Sequence, residues 1–158
     1  MICARYLFKV HVLTGDDALS RIGTKDAAFT CEPQKYLQRF TESDELSDDS
    51  VKIVEEYIAR VWIGDGRKTS CKTFDRSRVE SHINSLTPKS LAQLPPTSSI
   101  IRNHIQRSYF IIRNIFSMMS DCAQKLFAMD YGWFCDDGII LPVKGLNPIP
   151  EKLLVLCK

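Results

Sequence analysis

Apolar residues recur every three or four positions along two long segments, and this spacing is typical of one buried face of an α-helix. In residues 48–63 they form a narrow stripe, which consists of Val51, Val54, Ile58 and Val61. In residues 98–120 the stripe is broader and includes Ile101, Ile105, Tyr109, Ile112, Phe116 and Met119. A weaker pattern follows Thr73 and predicts a modest helix. Because a broad apolar stripe must be covered on several sides, we expect 98–120 to be a central, buried helix.

The N-terminal part of the chain predicts shorter elements. Residues 3–13 are ambiguous, because their apolar residues fit both the alternation of a strand and one face of a helix. Thr24 is a residue type that caps helix N-termini, and Pro33 is favoured in the first turn of a helix, so a short helix is predicted after each. We interpret residues 1–41 as a helix-turn-helix region.

Near the C-terminus the pattern changes to that of a β-hairpin. The pair Asp137-Gly138 separates two apolar runs, and Asp-Gly is a favoured two-residue turn between antiparallel strands. The sequence therefore predicts a hairpin and a C-terminal turn over 130–158, after a helical core over 48–120. The predicted fold is a single, mainly α-helical domain over residues 1–158.

The composition is that of a folded protein. Of the 158 residues, 44% are hydrophobic and 25% charged, and the formal net charge is +2. No stretch approaches the ~20 apolar residues of a membrane span, and Arg5, Lys9 and His11 interrupt the apolar run at the N-terminus. We therefore expect no membrane segment, no secretory signal and an intracellular location. The six cysteines form no Cys-x-x-Cys pair, which argues against a zinc site within the chain and favours reduced, buried thiols.

The charges are unevenly distributed along the chain. Residues 42–50 hold five acids and no base, whereas 81–120 contains no acid at all. Arg102, Arg107 and Arg113 lie in that acid-free stretch, and helical spacing places the first and last of them on a shared face. Two interpretations remain open. The arginines form a ridge that faces nucleic acid, or they solvate the edge of an apolar helix whose surface leaves little room for charge.

One short motif carries residues suited to phosphate chemistry. Gly15 is followed by Asp16 and Asp17, and then by Ile-Gly-Thr-Lys over 22–25. Carboxylate oxygens are the ligands that Mg²⁺ prefers, and the backbone N–H groups of Gly23, Thr24 and Lys25 could face a phosphate at the start of a helix. The alternative is an ordinary acidic loop before a helix, with no ligand.

The segment HVLTGDDALSRIGTKDAAF resembles the region of flap-endonuclease and XPG-type PIN-like nucleases in which Gly-x-Asp precedes a helical turn bearing glycine and lysine. It is still more similar to transposon-associated relatives with the pattern His-x-x-Thr-Gly-Cys-Asp-Thr-x-Ser, followed by a Gly-x-Lys turn. Seven residues of this chain fall on that pattern, namely His11, Thr14, Gly15, Asp17, Ser20, Gly23 and Lys25. Two downstream segments, LAQLPPTSSIIRNHIQRSYF and MDYGWFCDDGIILPVKGLNPIPEKLL, resemble the same group.

The resemblance implies hydrolysis of phosphodiester bonds by two divalent ions held in a cluster of carboxylates. Asp17 would be a late member of that cluster, and Asp16 stands where the relatives usually have cysteine. The earlier acids of the family belong to a parallel α/β core that precedes this motif, and only about ten residues precede it here. The relatives often continue into a cysteine-rich, tesmin-type segment. The spacer between Asp17 and Ile22 is also shorter than in true flap endonucleases. The chain therefore resembles the C-terminal half of such a nuclease.

Three functional hypotheses follow from these observations. The leading one is sequence-independent binding of the DNA backbone, in the nucleus, by Gly23, Thr24 and Lys25 with the three arginines of 98–120. No catalytic residue is assigned, and Mg²⁺ or Mn²⁺ is expected at Asp17 and Asp16 only if the missing acids are supplied by an N-terminal half or a partner. The second hypothesis is a protein-interaction or self-associating helical module without a nucleic-acid role. The third is a nuclease that is active by itself.

Overall fold

The computed structural model describes residues 4–16, 19, 21–63, 74–83, 94–119 and 126–144. Within these ranges lie six α-helices, one 3₁₀ turn and two strands, in the order α1 (Ala4–Leu13), α2 (Lys25–Thr30), α3 (Pro33–Leu37), α4 (Asp48–Ile63), α5 (Phe74–Ile83), α6 (Ser98–Met118), the 3₁₀ turn (Ala128–Tyr131), β1 (Trp133–Asp136) and β2 (Ile139–Pro142). The prediction of a mainly α-helical fold with one small hairpin near the C-terminus is confirmed. The predicted turn after Pro150 lies outside the described residues.

Helix α6 packs against α1, α4 and the 3₁₀ turn, and its middle is fully covered. Ile101, Ile105 and Ile112 are all 0% exposed, as the broad apolar stripe predicts. The stripe was expected to continue to Met119, and that expectation is wrong, because Met119 is 81% exposed. It is the C-cap residue, one position beyond the end of α6.

Helix α4 presents the predicted stripe to the core, and its four members, Val51, Val54, Ile58 and Val61, are all buried. A further core residue on this helix is Tyr57, whose ring is 0% exposed. Its hydroxyl donates a hydrogen bond of 2.9 Å to the carbonyl of Ala28. A buried hydroxyl needs such a partner, and here the bond joins α4 to α2.

The ambiguous N-terminal segment is a helix. Val10 and Leu13 of α1 are buried, and so is Lys9, whose ammonium donates to the carbonyl of Leu37 over 2.9 Å. Burial lowers the pKa of Lys9, and the nearby Glu42 carboxylate opposes this effect. Because the last carbonyls of a helix have no partner within it, a cation at the end of α3 stabilises that terminus and holds α1 against it.

The hairpin forms as the Asp-Gly pair predicts. Asp137 has φ of 46° and Gly138 has φ of 80°, which is the pattern of the type I′ turn that joins two strands most tightly. In the antiparallel register Phe134 lies opposite Leu141, and Asp136 lies opposite Ile139. At the base of the hairpin Gly132 has φ of 76° and approaches α6.

The described helices include none with both the length and the apolar composition that crossing a membrane requires.

We expect Ile105→Ala to lower the free energy of unfolding by about 2–5 kcal/mol, because the substitution leaves a cavity where α6 is fully covered. Urea denaturation followed by circular dichroism measures the change. The matched control is Ile53→Ala on α4, where the side chain is 46% exposed. Its effect should stay below about 1 kcal/mol, and equal losses in the two variants would contradict a buried position for α6.

Candidate nucleic-acid interface

The segment that carries the candidate motif connects α1 to α2, and a hydrogen bond joins its two ends. Thr14 follows the last residue of α1, and its hydroxyl donates to the carbonyl of Val10 over 2.8 Å. The carbonyl of Thr14 then accepts from the N–H of Ile22 over 3.0 Å, which joins the two ends of the loop. Gly15, with φ of 102°, supplies the sharp change of direction that a side chain would oppose. The loop therefore has a defined start and a defined end.

Asp16 has a structural role in this loop. Its Oδ1 accepts a hydrogen bond of 3.0 Å from the N–H of Leu19, an arrangement typical of aspartate in turns.

Asp17 lies outside the described residues. In the described part of the chain no three histidine, cysteine, aspartate or glutamate side chains converge as a metal site. Asp16 alone does not provide the ligand set that Mg²⁺ needs, so the described residues do not fit a two-metal centre.

Gly23 is required by its contact with α4. A Cβ at this position would lie 2.7 Å from Cγ1 of Val61 and 3.3 Å from the Val61 carbonyl oxygen. Its φ of 65° is also in the left-handed region that favours glycine. The loop can therefore pack on α4 only with glycine here. This packing is a structural reason for the residue, in addition to the open backbone that the sequence indicated.

Thr24 and Lys25 lie on the surface at the start of α2. The Thr24 hydroxyl accepts from the N–H of Ala27 over 3.2 Å and caps the helix, as predicted. Both side chains are exposed. The N–H groups of Lys25 and Asp26 have no acceptor within α2, because the first turn of a helix leaves its donors unused. These two N–H groups are therefore directed outward from the N-terminus of α2.

The two ends of the motif meet on this surface. Nζ of Lys25 lies 2.8 Å from Nδ1 of His11, and both side chains are exposed. An ammonium can only donate, so Nδ1 is the acceptor. Nearby, Nε of the exposed Arg21 donates to the Gly23 carbonyl over 3.4 Å. We call His11, Arg21 and Lys25 the basic corner. Sequence reasoning included His11 in the motif but not among the site residues, and the presence of both residues in one motif was the only signal that could have suggested their contact.

Two of the three predicted arginines are paired with the acidic segment. Arg102 forms an ion pair with Asp48, and Arg113 forms one with Asp44 and also donates to the Thr41 carbonyl over 3.2 Å. The hydrogen bond and charge of Arg102 lower the pKa of Asp48. The acid-free helix and the acidic run therefore neutralise each other across this contact.

Arg107 lies elsewhere on α6 and is buried, with 9% exposure. One of its terminal nitrogens donates to the carbonyls of Gly132 and Val143, over 3.3 and 3.2 Å. The arginine therefore holds the base of the hairpin against α6. Two of the three predicted arginines thus contact the acidic segment and the third contacts the hairpin, and these contacts lie apart from the basic corner.

A buried histidine positions the beginning of the motif, and sequence reasoning did not identify it. His104 is 2% exposed, and its Nε2 donates to the carbonyl of Leu13 over 2.9 Å. Leu13 is the last residue of α1. Burial lowers the pKa of His104, and the Arg107 charge adds to this effect, whereas the bond to Leu13 opposes it. The end of α1 is therefore attached to the central helix by a neutral imidazole.

No protein-family model, curated protein or solved structure matches this chain. The resemblance to PIN-like nucleases therefore stays a prediction from the motif.

We expect the domain to lose stability as the pH falls through about 6.5, the ordinary pKa of histidine. The unfolded chain takes up a proton at His104 there, whereas the folded chain resists it because its pKa is lowered, so acid favours unfolding. The contribution of one group cannot exceed about 1.4 kcal/mol per pH unit. Urea denaturation at pH 7.5 and pH 5.5 measures the slope, and His104→Gln should reduce it. An unchanged slope in the variant would show that His104 does not cause it.

Proposed function

We propose that the domain binds the sugar-phosphate backbone of DNA, without reading its sequence, through Gly23, Thr24 and Lys25. We propose further that it is a fragment of a PIN-like nuclease-type protein and is not catalytic by itself. A nuclear location follows from DNA binding. The observation that carries the proposal is the contact between Lys25 and His11 on the surface at the start of α2.

That contact supports the proposal because it brings the first and last residues of the motif, His11 and Lys25, together on one surface. A helix start offers free N–H donors and a partial positive charge, and an adjacent ammonium adds a full charge. The basic corner adds Arg21 to this surface. Asp16 and Asp26 lie in the same region and reduce its net charge, so we expect weak binding that depends on a few phosphate contacts.

The arginines of α6 enter this proposal unequally. The Arg102 side chain is 51% exposed, so a phosphate could replace Asp48 as its partner. The Arg113 side chain is 18% exposed and would have to leave both Asp44 and the Thr41 carbonyl. Arg102 and Arg113 therefore belong to the proposed interface only if DNA phosphates replace these partners. Arg107 is too deeply buried to reach a DNA backbone.

Catalysis would require carboxylates beyond those described here. We propose that Asp17, with Asp16 beside it, takes part in binding Mg²⁺ or Mn²⁺ only when an N-terminal half or a partner supplies the remaining acids. The domain alone should then leave flap and duplex DNA intact in the presence of Mg²⁺. Cleavage that Asp17→Ala abolishes would establish the third hypothesis, a nuclease active by itself, in its place.

We expect Lys25→Glu to weaken duplex DNA binding about tenfold and to reduce the slope of log affinity against log salt by about one, because one phosphate contact is lost. Fluorescence anisotropy between 50 and 200 mM salt measures both quantities. The matched control is Lys52→Glu, which makes the same charge change at a side chain that is 74% exposed on α4. Lys52 lies about 13 Å along that helix from Val61, the residue that contacts Gly23.

Absence of salt-dependent binding by the unmodified domain would overturn this proposal. Equal losses in the Lys25 and Lys52 variants would also overturn it, because they would indicate a general charge effect rather than a contact at the basic corner.

A second candidate function, self-association, is favoured by the apolar surface of the hairpin. The register places Phe134, Ile139 and Leu141 on one face of the two strands, with exposures of 41, 61 and 37%. We call these three residues the hairpin face. An exposed apolar face of this kind is typical of an interaction site. A two-stranded sheet with an uncovered face is also marginally stable in water.

The charges around the hairpin face suit a second copy of the chain. Asp136 and Asp137 lie at the tip of the hairpin, and Lys144 lies at its base, where it is exposed. If two hairpins pack face to face in antiparallel orientation, each acidic tip meets the lysine of the other copy. Asp136 lies on the same face as the three apolar residues, beside Ile139 at the tip. The interface is then self-complementary, as a two-fold symmetric contact requires.

We expect the unmodified domain to form dimers at about 100 μM and Ile139→Lys to be monomeric, because the substitution places a positive charge on the hairpin face, where the lysine of the other copy approaches. Light scattering coupled to size-exclusion chromatography measures the mass. Ile53→Lys serves as the control, since it places the same charge at an exposed isoleucine on α4 and should leave the dimer intact. A monomeric unmodified domain would contradict self-association.

A further inference from the structure

Arg107 is a buried cation without a described counter-charge. It is 9% exposed, whereas Arg102 and Arg113 lie closer to solvent and each has an acidic partner. Among the residues that the structure describes, Arg107 forms no ion pair, and its guanidinium donates to the carbonyls of Gly132 and Val143. Burying a charge is costly unless it is paired, so this arrangement needs an explanation.

Two buried donors at this place have no acceptor in the described part of the chain. One is Nε of Arg107, and the other is the indole Nε1 of Trp133. They belong to neighbouring groups, because the guanidinium carbon of Arg107 lies 5.9 Å from the centre of the Trp133 ring. Buried donors in proteins are nearly always satisfied. Two orphaned donors on neighbouring side chains therefore indicate that an acceptor is missing at this place.

The surrounding backbone holds these donors in a fixed position. The two carbonyls that accept from Arg107 lie at the base of the hairpin and restrain its guanidinium. Gly132 also lies close to α6, where an added Cβ would be 3.2 Å from the Asn103 carbonyl oxygen and 3.5 Å from Cγ of Arg107. A side chain here would be tight against α6, and the φ of 76° favours glycine. The donors are thus positioned before any ligand arrives, which is the condition for a binding site of useful affinity.

We infer that Arg107 and Trp133 form a binding site for a small oxyanion, a carboxylate or a phosphate, between α6 and the base of the hairpin. The oxygens of such an anion can accept from both Nε of Arg107 and Nε1 of Trp133. The negative charge then balances the buried guanidinium, which a water molecule cannot do. Guanidinium groups suit both ligands, because their planar donors match carboxylate and phosphate oxygens.

This site is independent of the proposed DNA contact. It uses no residue of the basic corner, and a loss of DNA binding in Lys25→Glu would leave it unchanged.

The indole N–H signals test the inference directly in ¹H–¹⁵N correlation spectra of the full chain. The chain contains two tryptophans, Trp62 and Trp133, and the Trp62→Phe variant identifies the signal of Trp133. Sodium phosphate and sodium acetate are added in separate titrations, with sodium chloride at the same ionic strength as a reference. We expect the Trp133 signal to move and to saturate with one or both anions, whereas the Trp62 signal and the chloride titration show no such change.

The two titrations also distinguish the ligands. Saturation by phosphate alone identifies a phosphate site, and saturation by acetate alone identifies a carboxylate site. No movement of the Trp133 signal with either anion up to about 50 mM would overturn the inference and leave water as the acceptor.

Variants separate binding from the structural role of Arg107. Arg107→Lys keeps the charge but removes Nε, and we expect it to weaken anion binding at least tenfold, as seen at the Trp133 signal. Trp133→Phe keeps an aromatic ring without the N–H, and its binding is followed by the anion-dependent rise in melting temperature. That rise should be at most half of the rise in the unmodified chain. An equal rise in the two proteins would overturn the role of Trp133.

Discussion

The fold depends on the need to cover α6, whose apolar stripe is too broad for one neighbour to bury. Helices α1 and α4 and the 3₁₀ turn contact it, and its middle is fully excluded from water. Polar residues on the flanks of the stripe form hydrogen bonds or ion pairs with the surrounding segments, one residue for each segment. His104 holds the end of α1, Arg102 holds the start of α4, and Arg107 holds the base of the hairpin. Because apolar packing has little directional preference, these polar contacts supply the orientation of each segment.

This arrangement explains the uneven charge distribution along the chain. The acids of 42–50 and the bases of α6 are far apart in sequence but adjacent in the fold, through Asp44 and Asp48. Exposed ion pairs contribute little to stability, so their main effect here is to select one docking of the acidic segment against α6. Arg107 differs from the other two arginines because the segment that covers it is the hairpin, whose nearest contacts to it are carbonyls rather than acids.

Much of the fold could be predicted from the sequence, since helical periodicity and turn chemistry are local properties. The stripes of α4 and α6, the Thr24 cap and the Asp137-Gly138 turn all follow from residues within a few positions of one another. The partners of the arginines could not be predicted in this way, because each partner lies on a segment distant in sequence. The same limit applies to His104 and to the contact between His11 and Lys25. The motif pattern contained both of the latter residues but gave no information on their distance in space.

The two proposed interaction surfaces differ in how they depend on the fold. The basic corner is built on a loop whose start is held by Thr14 and whose end rests on α4 through Gly23, so it should persist in any context that preserves α1 and α4. The hairpin face is held to the domain mainly at its base, by Gly132 and by the bonds to Arg107. An anion at Arg107 would neutralise the charge beneath that base and strengthen its attachment. If the proposed site binds an anion, its occupancy and the docking of the hairpin base would be thermodynamically linked, and each would favour the other.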